Sequence, residues 1–145
     1  MNPKYITVHC SATDQKADVQ TIRTMHIKRG WSDTGYHFVI TADGLVQPGR
    51  PLTRNGAGVQ GHNKDNIHIC LIGGEKTCDF TEPQWDALRY LISEISGIYG
   101  ILEKNIKGHR DWFPDTNGDG VVDRRDWLKE CPRFSVADKL REWGE

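Results

Sequence analysis

Three residues of this chain carry metal-binding side chains and stand at the borders of regular sequence: His9, His109 and Cys131. His9 follows Tyr5-Ile6-Thr7-Val8, a β-branched and aromatic run that reads as a short strand. His109 follows Ile106-Lys107-Gly108, beyond the clearest helical pattern in the chain. Cys131 sits in the polar stretch Lys129-Glu130-Cys131-Pro132. Imidazole and thiolate suit Zn²⁺, and three protein ligands leave a fourth position for water. An axial methionine would instead point to copper, but Met1 and Met25 lie away from these segments in the sequence. Six histidines in one domain also produce such a triple by chance, so the spacing by itself leaves the choice open.

A second stretch offers harder ligands. Residues 115–126 place Asp115, Asn117, Asp119, Asp123 and Asp126 at positions 1, 3, 5, 9 and 12 of a twelve-residue calcium loop. Gly120 falls at position 6, where the turn needs it, and Val121 at position 7 offers a backbone carbonyl. The same residues also favour an ordinary polar turn. Two departures stand out: Asp126 replaces the usual Glu, and Trp112-Phe113-Pro114 leaves no helix to enter the loop. The pattern is half an EF-hand, closer to the dockerin type. A short helix from about Asp123 is expected to leave the loop and deliver Lys129 and Cys131, with Ca²⁺ in a structural role.

The elements that must position these groups follow from periodicity and caps. Asp18 caps a helix running to about Arg29, where Gly30 stops it. Tyr36 to Ile40 reads as a strand, with Tyr36 and His37 on opposite faces. Ala42-Asp43-Gly44 turns it into Leu45-Val46-Gln47 as a hairpin. Residues 49–66 read as an irregular loop, and Ile67 to Ile72 as a central strand. Thr81-Glu82-Pro83-Gln84 is a capping box, and Trp85, Leu88, Ile92, Ile95 and Tyr99 follow at helical spacing until Gly100. Val136 to Trp143 reads as a last amphipathic helix, after a long polar loop that opens at residue 107. The fold class expected is α/β: a single domain with a central mixed β-sheet flanked by α-helices, spanning 1–145 and carrying the calcium loop as an insertion.

Composition bounds the function. At 145 residues the chain suits one domain, and five Trp, four Tyr and four Phe supply bulk for one core. A net charge of −1 argues against a dedicated nucleic-acid binder. No apolar run approaches the ~20 residues of a membrane span, and the first residues lack the apolar core of a secretory signal. Cys10, Cys70, Cys78 and Cys131 allow two disulfides in three pairings, but reduced thiols are expected without an exported context. Cys70 in Ile67-His68-Ile69-Cys70-Leu71-Ile72 reads as a buried core residue.

Five ordered motifs carry a resemblance that spans nearly the whole chain: His9-Cys10-Ser11-Ala12-Thr13, Gly35-Tyr36-His37-Phe38, Ile69-Cys70-Leu71-Ile72-Gly73-Gly74, Gly108-His109-Arg110-Asp111 and Lys129-Glu130-Cys131-Pro132. The chain resembles the zinc-dependent N-acetylmuramoyl-L-alanine amidases, in particular short phage lysozymes that share a fold with peptidoglycan recognition proteins. The resemblance implies zinc ligands at His9, His109 and Cys131, and catalytic residues at Tyr36 and Lys129. Without it, Tyr36 would read as strand packing and Lys129 as a solvated loop residue. It gives no ligand role to His37, His62 or His68. The family often carries a His in the loop where this chain has Gly56-Ala57-Gly58. The implied reaction cleaves the amide between N-acetylmuramic acid and L-alanine of peptidoglycan, as a phage or prophage endolysin that lyses the bacterial wall. The alternatives are a peptidoglycan-binding module without catalysis, or a regulator of a phage RNA polymerase. Cys131 favours catalysis over the first, and no motif supports the second. The expected protein is a monomer without nucleic-acid partners or membrane insertion. It would be made in the host cytoplasm and reach the wall by holin-type release.

Overall fold

A computed structural model describes residues 1–144. Ile67, Ile69 and Leu71 alternate with His68 and Cys70, so strand β4 (Asn66–Leu71) turns two different faces to two different cores. It lies at the centre of a five-stranded sheet with β1 (Tyr5–Cys10), β2 (Phe38–Ile40), β3 (Val46–Pro48) and β5 (Ile106–Gly108), in the order β3-β2-β4-β1-β5. β1 runs parallel to both β4 and β5, β2 runs parallel to β4, and only the β2–β3 hairpin is antiparallel. All six residues of β4 are buried, as a central parallel strand requires.

The larger core joins Ile6, Val8, Ile67, Ile69 and Leu71 to Leu88, Ile92 and Ile95 of helix α2 (Glu82–Tyr99) and Val136 of helix α3 (Val136–Trp143). The smaller core joins Val39, Cys70 and Ile72 to Ile22 of helix α1 (Val19–Lys28). Helices therefore cover both faces, and the mixed α/β single domain read from the sequence is the fold observed. The caps match as well. Asp18 accepts from Thr21 N, Thr81 accepts from Gln84 N, and Gly100 closes α2 at φ 66°. Among the described residues no helix is long and apolar enough to cross a membrane. All four cysteines are free thiols.

The structure corrects several expectations. β1 runs on through His9 and Cys10, so His9 is a strand residue rather than the residue after one. β2 starts only at Phe38, two residues later than expected. Tyr36 and His37 thus escape strict strand alternation, and both rings reach one imidazole cluster: Tyr36 packs on His9, and His37 stacks on His68. Ile106–Gly108, expected at the mouth of a loop, is the edge strand β5. No helix forms between Asp123 and Cys131. Asp126 accepts from Asp123 N to close a turn, and Pro132 biases the residue before it away from helical geometry. Tyr99 is 40% exposed, so the buried stripe of α2 ends at Ile95.

One buried polar residue ties α2 to the sheet. Gln84 Nε2 donates to Ile72 O at 2.8 Å and to Ile40 O at 3.1 Å, while its Oε1 accepts from Thr81 N. Gln84→Ala leaves Ile72 O and Thr81 N without these partners and opens a cavity. Urea unfolding should show a loss of about 2–3 kcal/mol; a loss near zero would mean water or backbone shifts replace the side chain.

Candidate metal centre and cleft

Three chain segments converge at the carboxyl ends of the parallel strands. His9 comes from β1 and is buried. His109 opens a short 3-10 turn, His109–Trp112, directly after β5. Cys131 returns from the far end of the long loop and is held by backbone. Arg110 N donates to Cys131 O at 3.0 Å, and Cys10 N donates to Cys131 Sγ at 3.2 Å. Gly108 makes this return possible, because a Cβ there would lie 2.8 Å from Pro132 Cδ. One donor atom from each of His9, His109 and Cys131 lies within 4.8 Å of the others.

The electrostatics suit a cation. Burial, with His68 and His109 next in effect, holds the His9 imidazole well below its ordinary pKa. His109 is lowered to about 4, by burial and then by Lys129. Both rings are therefore neutral near pH 7 and offer lone pairs. The Cys10 sulfur beside it and then burial push the Cys131 thiol up. A bound metal reverses that, since a coordinating thiol is deprotonated outright. Two imidazoles and one thiol fit zinc by donor chemistry. Met25, remote from these motifs in sequence, lines the same cleft but packs on the cluster around Ile22.

Beside the donors lies a cleft of about 530 Å³, lined among others by Arg29, Trp31, Tyr36, His109, Lys129 and Cys131. The Tyr36 ring centroid is 4.9 Å from that of His9. Burial, then the sulfurs of Cys70, Cys131 and Cys10, raise the Tyr36 phenol well above its usual pKa, so it stays protonated. All five residues singled out by the resemblance thus meet in one place.

The sequence reading missed His68. Its Nδ1 lies 2.9 Å from His9 Nε2, and burial, followed by His37 and His109, lowers it to about 3. The available signal was a histidine inside an apolar central strand, where a buried polar group needs a reason. The Gly56-Ala57-Gly58 stretch lacks a side chain where this ring lies: a Cβ on Gly58 would be 2.5 Å from His68 Nδ1.

In the acidic loop, oxygens of Asp115, Asp119 and Asp126 lie within 4.8 Å of one another. Asp123 is not in that group. Asn117 accepts from Asp119 N, and Arg125 pairs with both Asp119 and Asp123. Asp126 is buried and accepts from Thr116 N and Asp123 N.

The model of the N-acetylmuramoyl-L-alanine amidase family matches residues 1–132, and the chain belongs to that family. It is 36% identical to the endolysin of Klebsiella phage KP32 over 148 aligned positions, covering 97% of this chain and 84% of that one. An uncharacterized protein of Haemophilus influenzae is 42% identical over 99 residues, covering 65% of this chain and 84% of that one. Among solved structures, the N-acetylmuramoyl-L-alanine amidase LysC from Clostridium intestinale superposes with a TM-score of 0.78 at 28% identity, covering 99% of this chain and 87% of that one. The reaction is the family's: hydrolysis of the amide that joins N-acetylmuramic acid to L-alanine in peptidoglycan.

His26 gives the site a pH signature that does not involve the metal donors. Its Nδ1 accepts from Gly35 N at 2.8 Å, and burial, then Arg29 and Arg50, lower it to about 4. The unfolded chain binds a proton near pH 6.5, while the folded chain resists until about 4. Stability contributed by neutral His26 is therefore full above pH 6.5 and lost as pH falls towards 4. His26→Asn, which keeps an acceptor and removes the titration, should flatten the fall of Tm across that window in chelator-treated protein. An unchanged slope would remove His26 from the acid response.

Proposed function

We propose that the amide hydrolysis runs on a zinc ion held by His9, His109 and Cys131, with Tyr36 and Lys129 as the catalytic side chains. The observation that carries this is the convergence of two neutral imidazoles and one thiol within 4.8 Å at the edge of the cleft. Bound there, zinc supplies a water of lowered pKa and polarises the scissile carbonyl. Lys129 brings a cation to the same cleft, where it offsets negative charge developing on the carbonyl oxygen. Tyr36, protonated and packed on His9, donates a hydrogen bond to the attacking water or to that oxygen. Arg29 and Trp31 form the outer wall, with the Arg29 guanidinium 5.8 Å from the Trp31 ring centroid. The substrate is bacterial wall, and the protein acts on it after release from the host cytoplasm, as its phage endolysin relatives suggest by name.

Cys131→Ser should lose both bound zinc and the release of peptide from purified wall. If that variant kept both, the ligand assignment would be wrong. Tyr36→Phe and Lys129→Ala should keep zinc and fold yet slow turnover by about 100-fold or more. Near-normal rates would remove either residue from the chemistry. A binding module without hydrolysis would instead retain peptidoglycan and release nothing.

We also propose that residues 115–126 bind Ca²⁺ through Asp115, Asn117, Asp119, Val121, Asp123 and Asp126. Support comes from the converging oxygens of Asp115, Asp119 and Asp126, and from the hydrogen bonds that Asp115 accepts from Gly118 N and Gly120 N. Calcium must displace Arg125 from Asp119 and Asp123. Millimolar calcium should raise Tm by several degrees while zinc content stays fixed. A Tm indifferent to calcium would leave Arg125 as the loop's own counter-ion and end the proposal.

A further inference from the structure

Three buried histidines lie around the metal centre without being donors to it, and they differ in what their nitrogens do. His26 Nδ1 accepts from Gly35 N, which fixes the backbone after α1. His37 Nδ1 accepts from His68 N at 3.0 Å, and its Nε2 donates to Arg54 O at 2.9 Å, so both nitrogens serve the backbone. His68 serves no backbone group with its side chain. Its Nδ1 meets His9 Nε2 at 2.9 Å, and its Nε2 is buried without a partner. The residue is fully buried in a strand whose neighbours are Ile67 and Ile69. Buried polar atoms are nearly always paired, so an orphaned one asks for an explanation outside fold stability.

We propose that His68 is a positioning residue for the metal centre: it holds the His9 ring in the orientation and tautomer that leave Nδ1 free for the metal. This rests on the zinc reading above. The proton count supports it. A metal on His9 Nδ1 needs a lone pair there, so the proton sits on Nε2 and is donated to His68 Nδ1. Only one tautomer of each ring satisfies both demands.

The His68 ring is fixed in turn from two sides. His37 stacks on it, with planes 7° apart and centroids at 5.9 Å. The loop at residues 56–58 closes over it with bare backbone. A Cβ on Gly56 would lie 2.6 Å from His68 Cδ2, and a Cβ on Gly58 would lie 2.5 Å from His68 Nδ1 and 2.8 Å from His9 Nε2. Gly58 is not in the left-handed region, so its backbone does not need glycine. The space does: any side chain there would sit on the hydrogen bond between the two rings.

The test is competition of the zinc-loaded protein against a chromophoric chelator, with circular dichroism and melting of the metal-free forms as the fold control. His68→Leu should weaken zinc binding by about 10–100-fold. His68→Asn, whose Oδ1 can accept where Nδ1 did, should stay close to the parent. Gly58→Ala, which attacks the same bond from the loop, should weaken zinc as well. Zinc held by His68→Leu as tightly as by the parent would overturn the proposal, and so would a His68→Asn variant as weak as His68→Leu. Where His68→Leu fails to fold, Gly58→Ala with full zinc affinity overturns it alone. A parent protein that binds no zinc would overturn the zinc reading instead, which keeps the two failures apart.

Discussion

The centre depends on one clasp. Cys131 is fastened to the first strand by the Cys10 N–H on its sulfur, at 3.2 Å, and to the turn after the last strand by Arg110 N on its carbonyl, at 3.0 Å. His9 and His109 need no such device, because parallel pairing of β1 with β5 already sets them side by side. Cys131 lies at the end of residues 110–130, a long excursion without an α-helix or strand, whose closure costs entropy. The clasp opposes that cost. So does Gly108, whose missing side chain lets Pro132 approach. Arg133 extends the fastening by donating from Nε to Gly74 O at 2.7 Å, just beyond β4.

A second constraint is electrostatic. Five imidazoles, those of His9, His26, His37, His68 and His109, gather around the site with Lys129 and the Cys131 thiol, and burial keeps the imidazoles of His9, His68 and His109 neutral. Neutral rings can donate lone pairs, and a thiol that gives up its proton supplies the one negative charge. The rings are then distinguished by what each nitrogen touches. His37 and His26 are spent on backbone, whereas His68 is spent on His9.

Much of this was legible in the residues. Helix α2 and its capping box, helix α3, the hairpin at Gly44 and the central strand all follow from spacing and local turn chemistry. The meeting of His9, His109 and Cys131 was legible through the family motifs rather than through spacing, since nothing local links residues so far apart. What escaped depends on tertiary pairing. β5 is three residues long and exists because β1 offers it an edge. The expected helix after Asp123 lost to a turn closed by Asp126. His68 is legible as a lone imidazole in an otherwise apolar strand, but its contact with His9 is not, because that partner lies 59 residues away.

The most direct test of the account is X-ray absorption at the zinc edge of the metal-loaded protein. A centre built from His9, His109 and Cys131 predicts a single sulfur near ~2.3 Å and two imidazole nitrogens near ~2.0–2.1 Å, with one further light atom from water. A shell without sulfur, or one with several sulfurs, would contradict it.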